Sequence, residues 1–246
     1  MIKIKKPISP AHVLWLLTVL LLLAILISFT LGRYAVPLKE LSYILWSKIA
    51  PVTQFWTDTM EKIVFNIRLP RILLACMVGC CLSAAGVSYQ GVFQNPMAAP
   101  DILGATSGAA FGAALGILLG GSRRIITLLA FAFSLVTVGL VFFISKRARG
   151  KHVLTLVLSG IMVSSLFSAG TSFIKLVADP SNQLPAITYW LMGSLSGAKT
   201  AEVEYICIPM AIGLIPLILL RWRINVLTLG DDEAKSIGVN VGTSAL

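Results

Sequence analysis

Six runs of apolar residues dominate this sequence, and each has about the length that a helix needs to cross a lipid bilayer. Such a helix requires about 20 consecutive apolar residues, because the hydrocarbon layer is roughly 30 Å thick. Charged residues make up only 12% of the chain, whereas soluble domains carry about 25%. The sequence therefore predicts an all-α, polytopic transmembrane helical bundle with six spans, at residues 13–31, 72–93, 102–120, 125–144, 153–177 and 203–220.

The third run carries a glycine at every fourth position: Gly104, Gly108, Gly112, Gly116 and Gly120. Because four residues advance a helix by about 400°, these glycines form one slowly winding groove. A groove without side chains lets a neighbouring helix approach closely, which is how helices associate within lipid. We therefore expect the third span to pack directly against another helix of a bundle.

The segments between the spans hold most of the charge. The net charge is +10, but the basic residues lie between apolar runs, so we expect contact with membrane lipid and none with nucleic acid. Basic clusters before the first run and at residues 146–151 favour a cytoplasmic N-terminus. Residues 32–67 mix aromatic and charged side chains and are predicted to lie at the membrane surface, while residues 186–196 form a helix too short to span. We interpret four cysteines as small core residues and expect no metal or cofactor: Cys76, Cys80, Cys81 and Cys207.

No ionisable residue lies deep within any predicted span, and this argues against transport coupled to an ion gradient. Ion-coupled transporters use such residues at mid-membrane as relays. The polar residues within the spans are uncharged, which suits a passage for a bulky solute that is already chelated. The chain also lacks a phosphate-binding glycine-rich loop. If this protein drives transport, a separate chain hydrolyses the ATP, so we do not expect it to be an enzyme.

Three ordered motifs resemble those of type II ABC importer permeases, which carry iron–siderophore complexes, haem and cobalamin. The first consists of Arg68-Leu69-Pro70-Arg71, Gly79, Gly86, Gln90, Asn95-Pro96-Met97-Ala98-Ala99-Pro100, Leu103-Gly104 and Ser107-Gly108-Ala109. The second consists of Leu158-Ser159-Gly160 and Tyr189-Trp190-Leu191-Met192-Gly193-Ser194. The third is the stretch at residues 229–239. Because the motifs are ordered and cover residues 68–241, they are specific as a set.

The resemblance implies that residues 1–246 are a single permease domain of a binding-protein-dependent ABC importer. The expected location is the plasma (inner) membrane of a bacterium or archaeon, as a multi-pass protein. The implied partners are a second permease subunit, identical or different, two ABC ATPase subunits and an extracytoplasmic solute-binding protein. The implied solute of this ATP-driven alternating access is an iron chelate, with haem or cobalamin as the alternatives. A non-transporting membrane scaffold is a different class of function for the same chain.

Two arginines are implied to dock the solute-binding protein. Arg68 and Arg71 flank Pro70, so they can project from one side of a helix N-terminus. Their guanidinium groups suit carboxylates on the binding protein. Alternatively, they anchor the helix at the lipid interface, or they pair with Asp58 or Glu61.

The resemblance places ATPase coupling at residues 229–239, as two short cytoplasmic helices that dock in a cleft on the ATPase. A glycine can end one turn there, and an aspartate can cap the next helix. Small residues allow the ATPase surface to approach closely. A solvated amphipathic tail is the alternative. The residues assigned to coupling are Gly230, Asp231, Asp232, Glu233, Ala234, Ile237 and Gly238.

The family's inner gate lies in the connection that leads into the fifth span. Apolar residues occupy that connection here, which indicates a hydrophobic constriction. The break before the third span resembles the family's loop near the cytoplasmic end, and Asp101 is predicted to cap the third span. The candidate pathway and gate residues are Gln90, Asn95, Val153, Leu154, Ser159 and Ser164.

The chain differs from the family in length. Family members are about a third longer and form about ten helices, whereas this chain stops soon after the third motif. We therefore expect a C-terminally truncated permease, either a fragment or a naturally shortened form, with about six of those spans present.

Overall fold

The structure is a computed structural model that describes residues 9–51, 53–148 and 152–228. The described residues form helices without any strand, which confirms the predicted all-α class. The helices are α1 Pro10–Thr30, α2 Leu38–Trp46, α3 Asp58–Ile63, α4 Leu69–Phe93, α5 Ala105–Leu118, α6 Arg123–Arg147, α7 His152–Val177, α8 Gln183–Met192 and α9 Thr200–Leu227. A five-residue π-helical turn, Val64–Arg68, joins α3 to α4.

Five helical segments of the described chain are long and apolar enough to cross a membrane: α1, the continuous segment Asp58–Phe93, α6, α7 and α9. The third predicted span corresponds to α5, which has only 14 residues. α8 is short, as predicted for this region, and has ten residues. α9 runs from Thr200 to Leu227 and is thus longer at both ends than the predicted span at residues 203–220.

The helix α5 starts later than predicted, and Asp101 does not cap it. The residue that precedes α5 is Gly104, which has a φ of +75° and makes no side-chain cap. The N–H of Gly104 donates to the carbonyl of Asp101 over 2.8 Å. Asp101 therefore lies three residues before the N-cap position, whereas a capping side chain belongs to the N-cap residue itself.

Pro70 does not begin a helix, contrary to the sequence prediction. The helical path runs without a break from Asp58 to Phe93 and passes through the π-helical turn immediately before Pro70. Proline has no N–H and its ring displaces the carbonyl four residues earlier. A π-helical turn bonds five residues apart, so it accommodates that displacement while the helix continues.

The described residues divide into two compact units. Unit 1 contains those up to Gly79 together with Leu195–Ala211. Its core lies where the end of α1, α2 and the π-helical turn meet, and it is formed by Phe29, Val36, Leu41, Ile44, Trp56 and Val64. α2 buries one face against this core and exposes Leu38 and Trp46 on the other.

Unit 2 contains the described residues from Cys80 to Ser194 and from Ile212 onward. In it, α5 packs against both α6 and α7. The glycines of α5 lie against the backbone of α6: a Cβ atom at Gly108 would lie 2.6 Å from the carbonyl oxygen of Phe133, and one at Gly116 would lie 3.1 Å from the Cα of Ile126. The predicted close packing of this helix is therefore confirmed.

Three phenylalanines hold α5, α6 and α7 together at their centre. The ring centroids of Phe111 and Phe133 are 5.1 Å apart, those of Phe111 and Phe167 are 5.4 Å apart, and both pairs meet edge to face. Such pairs add stability beyond the burial of their surface. The cysteines do not share in a core as predicted, since Cys80 and Cys207 are exposed and Cys76 and Cys81 are half-buried.

Candidate functional site

The first candidate docking residue, Arg68, lies inside unit 1. Its side chain is only 7% exposed, and its guanidinium group donates to the backbone carbonyls of Phe29 and Tyr34. Gly32 leaves room for this group, because a Cβ atom there would lie 2.7 Å from Nη2. Arg68 therefore fastens the connection between α1 and α2 to the π-helical turn.

The second candidate docking residue, Arg71, is exposed. Its Nε donates to the carbonyl of Leu195 over 3.2 Å, and its Nη2 donates to the carbonyl of Ser196 over 2.8 Å. A guanidinium group has five N–H donors, so Arg71 retains donors for an external carboxylate. Of the two arginines, Arg71 is the one whose exposure suits docking, and the docking role of both stays a prediction.

The alternative that these arginines pair with Asp58 or Glu61 is wrong. Glu61 accepts from Lys48 Nζ over 2.9 Å. Asp58 accepts from the side-chain amide of Gln54 over 2.7 Å. Both acids thus have partners within the surface segment, and both arginines bind backbone carbonyls.

Helix α7 carries four of the predicted pathway residues, Val153, Leu154, Ser159 and Ser164, and it has two different faces. Its packed face includes Leu156, Ser159 and Val163, each at most 7% exposed. Ser164 lies half-buried beside Gly104. Ser159 is therefore packed between helices in the described part of the chain, and its pathway role stays a prediction.

The exposed face of α7 carries polar residues that the site prediction did not include. Ser165, Ser168 and Ser172 are exposed there, among large apolar side chains such as Met162 and Leu166. The hydroxyl of Ser165 donates to the carbonyl of Ile161 over 2.9 Å, and the hydroxyl of Ser172 donates to the backbone carbonyl of Ser168 over 3.0 Å. Their spacing of three and four residues places them on one face of the helix, but the sequence does not show that this face is the exposed one.

The remaining pathway candidates lie on the surface of unit 2. Val153 and Leu154, at the start of α7, are 38% and 58% exposed. Gln90 is exposed near the end of α4, and Asn95 Oδ1 accepts from the N–H of Met97 over 2.9 Å in the following turn. Their gating role stays a prediction. All seven residues assigned to ATPase coupling, at 230–238, lie outside the described residues.

These features define a class: a multi-pass membrane protein whose helices are free of charge at their centres and expose apolar faces within the membrane. The FecCD transport family matches residues 20–246, and the chain belongs to that family. This membership confirms the resemblance to type II ABC importer permeases and the location as a multi-pass protein of the plasma membrane.

Several curated relatives are similar to most of this chain. The molybdate import system permease protein MolB of Haemophilus influenzae is 37% identical over 96% of this chain and 69% of its own length. The probable iron chelatin transport system permease protein of Helicobacter pylori is 42% identical over 74% of this chain, which is 55% of its own length. The hemin transport system permease protein HmuU of Yersinia pestis is 34% identical over 97% of this chain and 70% of its own length.

A solved structure shares the fold. It is described as an inward-facing conformation of a metal-chelate type ABC transporter, and it matches 96% of this chain with a TM-score of 0.80 and 34% identity. The match covers 70% of that chain. The solved structure therefore supports the fold, and the curated relatives are permease proteins whose names differ in the solute.

Proposed function

We propose that this chain is a permease subunit of an ABC importer and forms part of the translocation pathway for an iron chelate. It works by alternating access with a second permease, two ATPase chains and an extracytoplasmic binding protein. Membership of the FecCD family supports this proposal, and so do the charge-free centres of the helices, because an ion-coupled carrier needs ionisable groups there. The ATPase chains supply the free energy, and the permease changes conformation.

The observation that carries the proposal is the exposed face of α7. This face combines large apolar side chains with the hydroxyls of Ser165, Ser168 and Ser172. A surface that only contacts lipid gains nothing from three aligned hydroxyls. A passage for an amphipathic solute can use them as polar contacts. A second permease that faced this helix would enclose a passage with weak polar contacts, from which a bulky solute can leave as well as enter.

The apolar, uncharged character of the exposed face of α7 favours a chelate over a bare oxyanion such as molybdate. Ser165 and Ser172 donate their protons to carbonyls of their own helix. They can offer an oxyanion only neutral, rotatable donors, and no cationic side chain lies among them between Met162 and Phe173. An organic chelator presents apolar surface and N–H or O–H donors to the same face. Haem and cobalamin fit this description as well and are the second choice.

Transport by the assembled complex tests the proposal. The full permease is placed in vesicles with its ATPase and binding protein and offered radioactive iron in a hydroxamate chelate, haemin, cobalamin or molybdate. We expect ATP-dependent accumulation of the iron chelate, and none with a proton or sodium gradient alone. Uptake under an ion gradient without nucleotide would contradict the proposal, and uptake of molybdate alone would contradict the choice of solute.

A second experiment tests the assigned coupling segment. Replacing Gly238 with tryptophan puts a bulky side chain where the ATPase is expected to approach closely. We expect normal abundance in the membrane and a fall of about tenfold or more in ATP-driven uptake, equivalent to about 1.4 kcal/mol of lost coupling. Gly242→Trp, just beyond the segment, is the matched control and should transport normally. Undiminished uptake by the Gly238 variant would remove the assignment.

A further inference from the structure

Helix α4 ends in a turn that holds an unusual residue. The N–H of Asn95 donates to the carbonyl of Gln90 over 3.2 Å, and the N–H of Gln94 donates to that of Gly91 over 3.3 Å. These two bonds make a Schellman cap, in which the residue at the position of Gln94 needs a left-handed backbone. Glycine or asparagine normally fills this position. Gln94 has a φ of +50° and is the single non-glycine residue with a positive φ in the described ranges.

The side chain of Gln94 gives a reason for this choice of residue. Its Nε2 donates to the carbonyl of Leu227 over 3.3 Å. Leu227 is the last residue of α9, and the final four carbonyls of a helix have no partner within it. One of these four carbonyls, that of Asn225, accepts from the hydroxyl of Thr228 over 2.7 Å. The end of α9 is thus capped by its own threonine and by a glutamine that belongs to α4.

The two helix ends also pack against each other. Gly91 is buried, and a Cβ atom there would lie 3.1 Å from Cγ2 of Ile224 and 3.4 Å from its carbonyl oxygen. Val92 packs against Val226 and Leu227, which are 7% and 3% exposed. The hydrogen bond from Gln94 is therefore part of a close contact, which we call the α4–α9 joint: Gly91, Val92, Gln94, Ile224, Val226 and Leu227.

We propose that Gln94 is a positioning residue that holds the end of α9 in place and thereby couples movement of the segment after α9 to α4. This inference rests on the proposed function, because the chain runs from Leu227 directly into residues 229–239, to which coupling is assigned. A push on that segment reaches the last turn of α9 first. With the joint intact, α4 follows that turn; without it, the end of α9 moves alone.

Gln94→Gly separates this role from a merely structural one. Glycine adopts a positive φ without strain, so the variant should keep or improve the cap of α4 while it removes the cap of α9. We expect the backbone amides of residues 222–228 to exchange hydrogen about fivefold faster, as is typical for the loss of one hydrogen bond. We expect uptake of the iron chelate per ATP hydrolysed to fall by a similar factor. Gln94→Lys keeps a donor of suitable length and should restore most of both quantities.

The chain offers a matched control with the same chemistry at another helix end. Gln183 Nε2 donates to the carbonyl of Leu118, the last residue of α5, over 3.0 Å. Gln94→Met and Gln183→Met each remove one bond from a glutamine to a terminal carbonyl at nearly constant volume. Gln183→Met also removes the bond that Gln183 Oε1 accepts from the N–H of Asp179 over 3.0 Å, so it is the more disruptive change at its own site. We expect faster exchange in α9 and weaker coupling from the Gln94 variant alone.

The two measurements distinguish the possible failures. Unchanged exchange in residues 222–228 of the Gln94→Gly protein would overturn the joint itself. Faster exchange with unchanged uptake per ATP would overturn its role in coupling, and so would equal loss of coupling in Gln183→Met. If the unaltered complex moves no chelate with ATP, the proposed function fails, while hydrogen exchange in the purified chain still decides whether Gln94 holds the end of α9.

Discussion

Replacing Gly112 with alanine is expected to destabilise the chain by about 2 kcal/mol or more, because the new methyl group has no space. A Cβ atom at this position would meet the carbonyl oxygen of Leu129, and it would lie 2.7 Å from the carbonyl carbon of that residue and 3.0 Å from the Cα of Ala130. All three are backbone atoms of α6, so no rotation of a side chain relieves the clash. α5 and α6 must separate to admit the methyl group.

Gly139→Ala is the matched control for this substitution. Gly139 lies in the middle of α6, and nothing lies within 4 Å of a Cβ atom built there. Both variants make the same chemical change within a helix, and alanine has the higher helix propensity by about 1 kcal/mol. The Gly139 variant should therefore be as stable as the original chain or slightly more stable.

Resistance to unfolding in detergent, measured by circular dichroism as temperature or denaturant rises, compares the two proteins. We expect a much lower midpoint for the Gly112 variant and a reduced amount of it in the membrane. Equal midpoints for both variants would mean that α5 and α6 do not touch through their backbones.

Replacing Arg68 with methionine is expected to destabilise the chain by about 2–4 kcal/mol, because one buried carbonyl and one partly buried carbonyl lose their donor. The side chain of Arg68 is 7% exposed and serves the carbonyls of Phe29 and Tyr34. Methionine has a similar length but cannot donate. The connection between α1 and α2 would lose its attachment to the π-helical turn.

Arg71→Met provides the comparison. Arg71 is exposed, and water can replace it at the carbonyls of Leu195 and Ser196, so we expect a loss of less than about 1 kcal/mol. Unfolding midpoints measure stability, and binding of the purified solute-binding protein measures docking. We expect Arg68→Met to lower the midpoint and Arg71→Met to lower the affinity. A stable Arg68→Met protein with weakened docking would show that Arg68 faces the binding protein.

The packing of α5 could be predicted from the sequence because its signal is local. Glycines four residues apart produce a groove whatever the rest of the chain does, and the groove requires a neighbouring helix. The all-α class and the approximate positions of the long helices followed from apolar length in the same way. These predictions depend only on the geometry of a single helix and the thickness of the membrane.

The open face of α7 could not be predicted because lipid removes the usual signal. In a soluble helix, polar residues mark the exposed side, but a membrane helix is apolar on its packed and its lipid-facing sides alike. Ser159 was therefore as good a pathway candidate as Ser165, although the first is buried and the second exposed. The environment of Arg68 was hidden for a different reason: its acceptors lie more than thirty residues earlier in the chain.

The π-helical turn Val64–Arg68 has a consequence for comparing this chain with its relatives. It holds one residue more than the same length of ordinary α-helix. The wide turn takes up the rotation of about 100° that one extra residue would cause in an α-helix. A relative that lacks one residue there and has ordinary α-helix instead would keep Glu61 and Lys62 in nearly the same orientation relative to Leu69. A gap of one residue in this stretch thus changes the width of one turn and leaves the side chains on either side of it in register.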